Sequence, residues 1–89
     1  MAKATIKISN KLGLHARASA KLSKLAGSFR SEVSLSRNGR RVNAKSIMGV
    51  MMLAAGLGST VELETEGPDE EIAASEIEAL FNDKFGEGE

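Results

Sequence analysis

The 89 residues are 42% hydrophobic and 27% charged, a composition typical of one small folded domain, which excludes a disordered chain. Three aromatic residues are too few for a nucleic-acid binder that stacks bases, and no apolar run approaches the roughly 20 residues that cross a membrane, so neither partner is expected. The net charge is zero, yet residues 1–45 hold eleven of the twelve basic residues and one acid, whereas residues 46–89 hold the other eleven acids and one base.

This uneven charge distribution has two interpretations. Either the two halves attract each other as solvated faces of the folded protein, or the basic half presents a positive surface to acidic partners or to phosphate. The single histidine, His15, lies in the basic half. The absence of cysteine fits a reducing compartment, so we expect a cytoplasmic protein. We expect a monomer, because so small a domain would keep a small face for transient partners.

In chain order, a strand is predicted over residues 4–9 because apolar and polar residues alternate. Its inward side chains are expected to be Ala4, Ile6 and Ile8. Residues 10–14 form a loop into a helix that begins near His15 and runs to about Ala26, with Gly27 just past its end. The helical spacing of apolar residues predicts one buried face, made of Ala18, Leu22, Leu25, Ala26 and Phe29.

His15 is thereby placed near the N-cap of a helix, where free backbone N–H groups and the helix dipole favour an anion. Gly13 permits a sharp turn before it, and Arg17 follows with a guanidinium suited to phosphate. The alternative is that a lone histidine is only a surface or capping residue. We expect no metal site, because the chain has no cysteine and no second histidine.

Two short strands are predicted next, over residues 32–36 and 40–43. Their inward side chains are expected to be Val33, Leu35 and Val42. Between the strands, Arg37-Asn38-Gly39-Arg40 is typical of a hairpin with a type I′ turn, in which both central residues need positive φ.

Ser46 is the expected N-cap of a second helix over residues 47–55. One face would be formed by Ile47, Val50, Met51 and Ala54. Since Met48 and Met52 project elsewhere, the helix is either buried nearly all round or carries an exposed methionine-rich surface for protein partners. Ser46 is first a structural cap, but a phosphate added there would be favoured by the helix N-terminus and would repel an acidic partner.

The last strand is predicted over residues 60–66, and Asp69 is expected to cap a final helix from about Glu70 to Phe85. The inward residues of the strand are expected to be Val61, Leu63 and Thr65, and those of the helix Ala73, Ile77, Leu80 and Phe81. Residues 86–89 are expected to be a frayed tail.

The order β-α-β-β-α-β-α, with one apolar face on each strand, indicates an α+β fold in which helices cover one face of a sheet. The other face can then meet water. It would carry Thr5, Lys7, Glu62 and Glu64.

Two stretches together resemble the histidine-containing phosphocarrier (HPr) family of the bacterial phosphoenolpyruvate:sugar phosphotransferase system. They are Gly13-Leu14-His15-Ala16-Arg17 and Asn43-Ala44-Lys45-Ser46-Ile47-Met48-Gly49-Val50-Met51. The resemblance covers essentially the whole chain. It implies a single phosphocarrier domain over residues 1–89, an open-faced β-sandwich in which three helices cover one face of a four-stranded antiparallel sheet.

One residue departs from the family pattern: Ala18 stands where the family usually has proline. Proline fixes φ and needs no N–H donor in the first helical turn. We therefore expect a somewhat less rigid helix start, with the chemistry of His15 retained.

The resemblance also implies a phosphoryl carrier that needs no cofactor and is not a stand-alone enzyme. His15 would accept a phosphoryl group on Nδ1 from phosphorylated enzyme I and pass it to a IIA protein or domain. Arg17 and the backbone N–H groups of Ala16 and Arg17 would bind the phosphoryl oxygens. Ser46 matches the position that HPr kinase/phosphorylase modifies in some bacteria. The family's docking face matches Ala20, Lys24, Ile47, Met48 and Met51.

A second hypothesis is a regulatory binding module, in which the methionine-rich surface and Ser46 act and phosphorylation selects the partner. The pair of His15 and Arg17 favours the carrier, since a pure binder needs neither, whereas the Ser46 motif favours control by a kinase. A purely structural domain would leave both features unexplained. Whether a sugar-transport branch or a nitrogen-related branch is served stays open.

Overall fold

The computed structural model describes residues 1–87, which form one four-stranded sheet, three α-helices and a 3-10 turn. The elements are β1 (Ala2–Lys7), α1 (Ala16–Gly27), β2 (Glu32–Arg37), β3 (Arg40–Asn43), α2 (Ile47–Met51), β4 (Thr60–Glu66), α3 (Glu70–Asn82) and the 3-10 turn (Lys84–Gly86). The strand order is β1-β4-β2-β3, and all neighbours are antiparallel. The predicted α+β sandwich is confirmed.

The core lies between one face of the sheet and the helices that cover it. The predicted inward strand residues are buried or pack against this core: Ala4, Ile6, Ile8, Val33, Leu35, Val42, Val61, Leu63 and Thr65. The helices contribute predicted core residues as well: Ala18, Leu22, Ala26, Ala73, Ile77 and Phe81 are buried, and Leu25, Phe29 and Leu80 are partly buried. Strict alternation identified one face of every strand because successive strand residues point to opposite sides.

The opposite face of the sheet is polar and open, as predicted. It brings the basic and acidic halves of the chain together, since the ammonium group of Lys3 and the guanidinium of Arg41 each lie 3.7 Å from the carboxylate of Glu64. The interpretation in which the halves attract each other thus has direct contacts in the fold.

The β2–β3 hairpin forms as predicted. Asn38 has φ +52° and Gly39 has φ +81°, so both central residues adopt the left-handed conformation that a type I′ turn requires. The strand bounds differ slightly: β1 begins and ends two residues earlier than expected, and β2 continues to Arg37.

The predicted end of α2 at residue 55 is wrong, because the helix ends at Met51. Ala54 adopts φ +51°, which turns the chain out of the helix. Leaving the helix here allows both Leu53 and Ala55 to be buried in the core. Burial of two apolar side chains thus decides where this helix stops.

The ends of α1 and α3 also differ from expectation. Gly27 is the last residue of α1 and not the residue beyond it, and Ser28 is the C-cap. α3 ends at Asn82, three residues before the predicted end, because the chain then turns with φ +55° at Phe85. That turn places the ring of Phe85 in the core, edge-on to Phe81 at a centroid distance of 4.9 Å.

Asp69 occupies the N-cap position of α3 but its side chain makes no cap hydrogen bond, which corrects the expected role. Its carboxylate accepts hydrogen bonds from the Ser31 hydroxyl at 2.5 Å and from the backbone N–H groups of Arg30 and Ser31 at 2.9 Å. These bonds hold the pKa of Asp69 below its ordinary value, despite some loss of hydration. Asp69 therefore fastens the start of α3 to the segment before β2.

Candidate functional site

The loop before α1 is a tight turn that packs against the segment after α2. Gly13 has φ +63°, its N–H donates to the carbonyl of Asn10, and the next N–H, of Leu14, donates to the carbonyl of Ala55 at 2.9 Å. A Cβ on Gly13 would lie 2.4 Å from that Ala55 oxygen. The glycine is thus required both for its backbone conformation and for the close approach of two backbones.

His15 is the N-cap residue of α1, which confirms its predicted place. Its backbone is extended (φ −74°, ψ −179°), and its carbonyl accepts from the N–H of Ser19 at 2.8 Å. Its ring nitrogen Nδ1 accepts from the backbone N–H of Arg17 at 3.3 Å. Nδ1 therefore carries a lone pair directed at the helix N-terminus, and the side chain remains 26% exposed.

The other ring nitrogen of His15 contacts a carboxylate in residues 86–89, which were expected to be a frayed tail. Nε2 lies 2.5 Å from Oε2 of Glu87, and the side-chain amide of Asn10 donates to the other oxygen, Oε1, at 3.1 Å. Asn10 is fully buried and also donates to the carbonyl of Gly13 at 2.8 Å. The expectation of fraying is wrong for Gly86 and Glu87, and residues 88–89 lie outside the described residues.

Glu87 is ionised in this setting. Burial disfavours its charged form, but hydrogen bonds from His15 and Asn10, with the positive charges of His15 when protonated and of Lys21, outweigh burial and hold the pKa of Glu87 below its ordinary value. An ionised carboxylate can only accept, so the proton in its contact with His15 belongs to Nε2.

The segment that carries Glu87 is anchored through Phe85. Phe85 is buried, and its carbonyl accepts from the ammonium group of Lys21 on α1 at 2.6 Å. The signal that could have located this anchor is the position of Phe85 four residues after Phe81, on the same apolar face of the predicted helix. Nothing local in the sequence points to Glu87 itself.

The surroundings of the exposed ring edge are basic. An open groove beside His15 is lined by Lys11, Arg17 and Lys21, together with the exposed apolar side chain of Leu12. Ala16 and Arg17, predicted as phosphate-binding residues, both lie in the first turn of α1 and are exposed. The arrangement of backbone N–H groups, helix dipole and cations suits a tetrahedral oxyanion.

The alternatives for α2 are decided in favour of an exposed surface. We call Ile47, Met48, Met51 and Met52 the methionine surface; Met48 is 70% and Met52 59% exposed. Of the four residues predicted to share one face of α2, Val50 is buried, whereas Ile47, Met51 and Ala54 are exposed. Ala20 and Lys24, predicted with this surface, are exposed on α1, which packs against α2.

Ser46 is the N-cap of α2, as predicted. Its hydroxyl accepts from the backbone N–H of Gly49 at 3.1 Å and remains on the exposed side of the turn. Further along, the guanidinium groups of Arg37 and Arg40 donate to the carbonyls of Leu53 and Met52, both at 3.1 Å. Basic side chains thus border the methionine surface at the end of α2.

Residues 1–87 contain no group of three His, Cys, Asp or Glu side chains placed to hold a metal ion. In the same part of the chain, no helix has the length and apolar character needed to span a bilayer.

Comparison with known proteins gives consistent results. Residues 2–83 match a protein family described as "PTS HPr component phosphorylation site". The phosphocarrier protein HPr of Cupriavidus necator is 71% identical over 82 residues, which are 92% of each chain. The phosphocarrier protein HPr of Neisseria meningitidis is 56% identical over 89 residues and covers both chains completely.

Solved structures give the same result for the fold. A crystal structure of HPr from Thermoanaerobacter tengcongensis superposes with a TM-score of 0.95 at 45% identity, covering 98% of both chains. A second crystal structure from that organism is described as an HPr dimer and superposes with a TM-score of 0.79. The chain belongs to the HPr family and is a phosphocarrier of the phosphotransferase system.

Proposed function

We propose that His15 carries the phosphoryl group, accepting it on Nδ1 from phosphorylated enzyme I and passing it to a IIA protein or domain. The observation that supports this most directly is the hydrogen bond from the Arg17 N–H to Nδ1, which leaves the nucleophilic lone pair on that nitrogen. The partly exposed ring can be reached by two successive partners, as a relay requires. No nucleotide or metal has to be bound by this chain, because the partners supply the rest of the transfer machinery.

The transfer step is a simple exchange of bonds. The Nδ1 lone pair attacks phosphorus while the bond between phosphorus and the donor atom of enzyme I breaks, and the donor keeps that electron pair. The ring, neutral before attack, becomes formally positive once Nδ1 is bonded to phosphorus. Transfer to a IIA protein is the same exchange in reverse, with a new acceptor.

The N-terminus of α1 supports the phosphorylated state. When Nδ1 forms its bond to phosphorus, the Arg17 N–H loses its acceptor and becomes free to donate to a phosphoryl oxygen, together with the N–H of Ala16. The Arg17 guanidinium is exposed beside them and can pair with the phosphoryl charge in a bidentate arrangement. Arg17 is thus proposed to stabilise the phosphohistidine and the charge that moves during transfer.

Partner docking is assigned to Ala20 and Lys24 on α1 with Ile47, Met48 and Met51 on α2. Flexible methionine side chains adapt to more than one partner shape, which suits a carrier that meets enzyme I and IIA proteins in turn. Exposed Lys24 and the arginines near α2 favour partners with acidic surfaces.

Ser46 is proposed as a regulatory phosphorylation site for HPr kinase/phosphorylase. It is exposed, and it lies at the edge of the methionine surface. A phosphate there would place about two negative charges beside the docking surface and repel an acidic partner without refolding the chain. This regulatory binding role is compatible with the carrier role in one molecule.

We further propose that residues 1–89 form a single phosphocarrier domain that acts as a cytoplasmic monomer. The support is one continuous core and the absence of cysteine in the sequence. Sedimentation of the protein at its working concentration tests the oligomeric state. The alternative is a dimer, the state described for HPr of Thermoanaerobacter tengcongensis.

The test of the carrier role is intact mass after incubation with enzyme I and phosphoenolpyruvate. We expect the wild type to gain one acid-labile phosphate of about 80 Da, and His15→Ala to gain none. Adding a IIA protein should then return the wild type to its original mass. Arg17→Ala should be modified more slowly than Arg17→Lys, which keeps the charge but not the fork of donors.

Absence of modification in the wild type, with an enzyme I shown to be active on another HPr, would contradict the carrier role. The binding-module hypothesis would then take its place, and binding assays with Met48→Ala and Ser46→Asp would be the next experiments.

A further inference from the structure

We infer that Glu87 is a positioning residue for His15: its carboxylate keeps the proton on Nε2, leaves Nδ1 as the nucleophile and balances the positive charge the ring gains on phosphorylation. The inference deepens the proposed function and rests on it. It assigns a role in phosphoryl transfer to a residue 72 positions away in the sequence from the histidine it contacts.

Two independent hydrogen bonds specify the same tautomer of His15. On one side of the ring, the Arg17 N–H donates to Nδ1, which must then be unprotonated. On the other side, the Glu87 carboxylate accepts from Nε2 at 2.5 Å, which requires a proton there. The two contacts leave the ring in the form that a nucleophilic Nδ1 needs.

The carboxylate is held in place by contacts that do not depend on the histidine. Asn10 is fully buried and donates to the second carboxylate oxygen of Glu87. The segment that carries Glu87 is fixed by the buried ring of Phe85 and by the bond from Lys21 to its carbonyl. The Glu87 side chain is accordingly only 12% exposed, so its interaction with the ring is weakly screened by solvent.

The charge of Glu87 matters most after Nδ1 has attacked phosphorus. The ring then carries a positive charge, and a carboxylate hydrogen-bonded to the far nitrogen stabilises it, as an aspartate does for the histidine of a serine-protease triad. The phosphoryl group leaves from the opposite nitrogen, so the carboxylate does not occupy its place. Proton transfer is not required, because Nε2 keeps its proton throughout.

The first measurement is the tautomer of His15 by ¹⁵N NMR, at a pH where the ring is neutral. His15 is the only histidine, so its ring signals need no assignment. We expect a single Nε2–H tautomer in the wild type, but a mixture of tautomers in Glu87→Ala. Asp83→Asn is the matched control, because it removes one exposed acid from the same segment and should keep the wild-type signals.

The second measurement is the rate of phosphoryl transfer from phosphorylated enzyme I. Glu87→Gln, which removes the negative charge, should transfer about tenfold more slowly, the low end of the range for groups that hydrogen-bond the far nitrogen of a metal-binding histidine. Glu87→Ala should be slower still, and Asp83→Asn should match the wild type. A merely structural role for Glu87 would lower the melting temperature without changing the tautomer of the folded protein.

The outcomes separate this inference from the proposed function. If the wild type takes up no phosphate, the carrier role fails, and the NMR result alone decides whether Glu87 positions the ring. If the wild type is modified normally, then a single tautomer in Glu87→Ala, or a wild-type rate in Glu87→Gln, overturns the role of Glu87 and leaves the carrier role intact.

Discussion

Gly13 allows the loop before α1 to approach the backbone of the segment after α2. Replacement by alanine would force an L residue to φ +63° and bring its Cβ to 2.4 Å from the Ala55 carbonyl oxygen. Since the Cβ is fixed rigidly to the backbone and the oxygen belongs to it, neither atom can move without shifting a whole segment. We expect Gly13→Ala to lower the free energy of unfolding by about 2 kcal/mol or more, measured by urea denaturation.

The matched control is Gly27→Ala, at the last residue of α1. An added Cβ there meets no atom within 4 Å, and the residue is helical, so alanine should leave stability unchanged or raise it by a few tenths to about 1 kcal/mol. Equal losses in both variants would show that the strain assigned to Gly13 is absent.

Residues differ in how far their role could be predicted from the sequence. The N-cap positions of His15 and Ser46 depend on hydrogen bonds to neighbours two to four positions away, so cap spacing and helix periodicity were sufficient to predict them. Glu87 contacts His15 across nearly the whole length of the chain, and only the folded structure brings the two together. Local patterns carry no information on such a contact.

At the scale of elements, the existence of every strand and helix was predictable, whereas several ends were not. The strands follow from alternation, and the hairpin follows from Asn38-Gly39. The helices α2 and α3 stop where tertiary packing demands it: Leu53 and Phe85 each reach the core by leaving a helix that periodicity would have continued. At these helix ends, the burial of apolar side chains outweighs helix propensity.

The cap formed by Ser46 matters for the stability of α2 because this helix is short. The helix has only five residues, and the Ser46 hydroxyl satisfies one of its first free N–H groups. We expect Ser46→Ala to reduce the free energy of unfolding by about 1 kcal/mol, whereas Ser46→Asp should match the wild type within a few tenths, because aspartate caps equally well. Urea denaturation of the three proteins measures both effects.

The same pair of variants separates capping from regulation. Ser46→Asp adds a negative charge beside the methionine surface and should slow phosphorylation by enzyme I about tenfold, since like charges across an interface are costly. Ser46→Ala, although less stable, should be phosphorylated at the wild-type rate. A slow Ser46→Ala, or an unaffected Ser46→Asp, would rule out electrostatic interference at this position.

Across residues 1–87, charged groups attach the N-terminus, the start of α3 and Glu87 to the rest of the fold. The N-terminal amine of Met1 lies 2.7 Å from the carboxylate of Glu70, which also accepts from the N–H of Gly67. Asp69 binds the segment before β2, and Glu87 binds Asn10 in the loop before α1. The sequence shows an acidic half and a basic half, but which charges meet depends on the register of the sheet and the path of the ends.

Because of these contacts, the stability of the fold depends on pH in both the acid and the alkaline range. The amine and Gly67 lower the pKa of Glu70 from 4.5, and Ser31 with the Arg30 N–H lowers that of Asp69 from 3.8. Such carboxylates stabilise the fold fully above their unfolded pKa, and this contribution is lost as the pH falls through the lower folded value. The amine behaves oppositely: Glu70 raises its pKa from 8.0, so its contribution is present below pH 8.0 and is lost as the pH rises through the raised value.

We therefore expect the melting temperature to be highest between about pH 4.5 and 8.0 and to fall on both sides. Differential scanning calorimetry of the chain with Met1 retained measures this profile. Because Asp69 contributes only to the acid side, Asp69→Asn should flatten the acid limb and leave the alkaline limb as in the wild type. Glu70→Gln removes the partner of the amine, so it should flatten both limbs; an alkaline limb unchanged in this variant would show that the contact between the amine and Glu70 contributes nothing to stability.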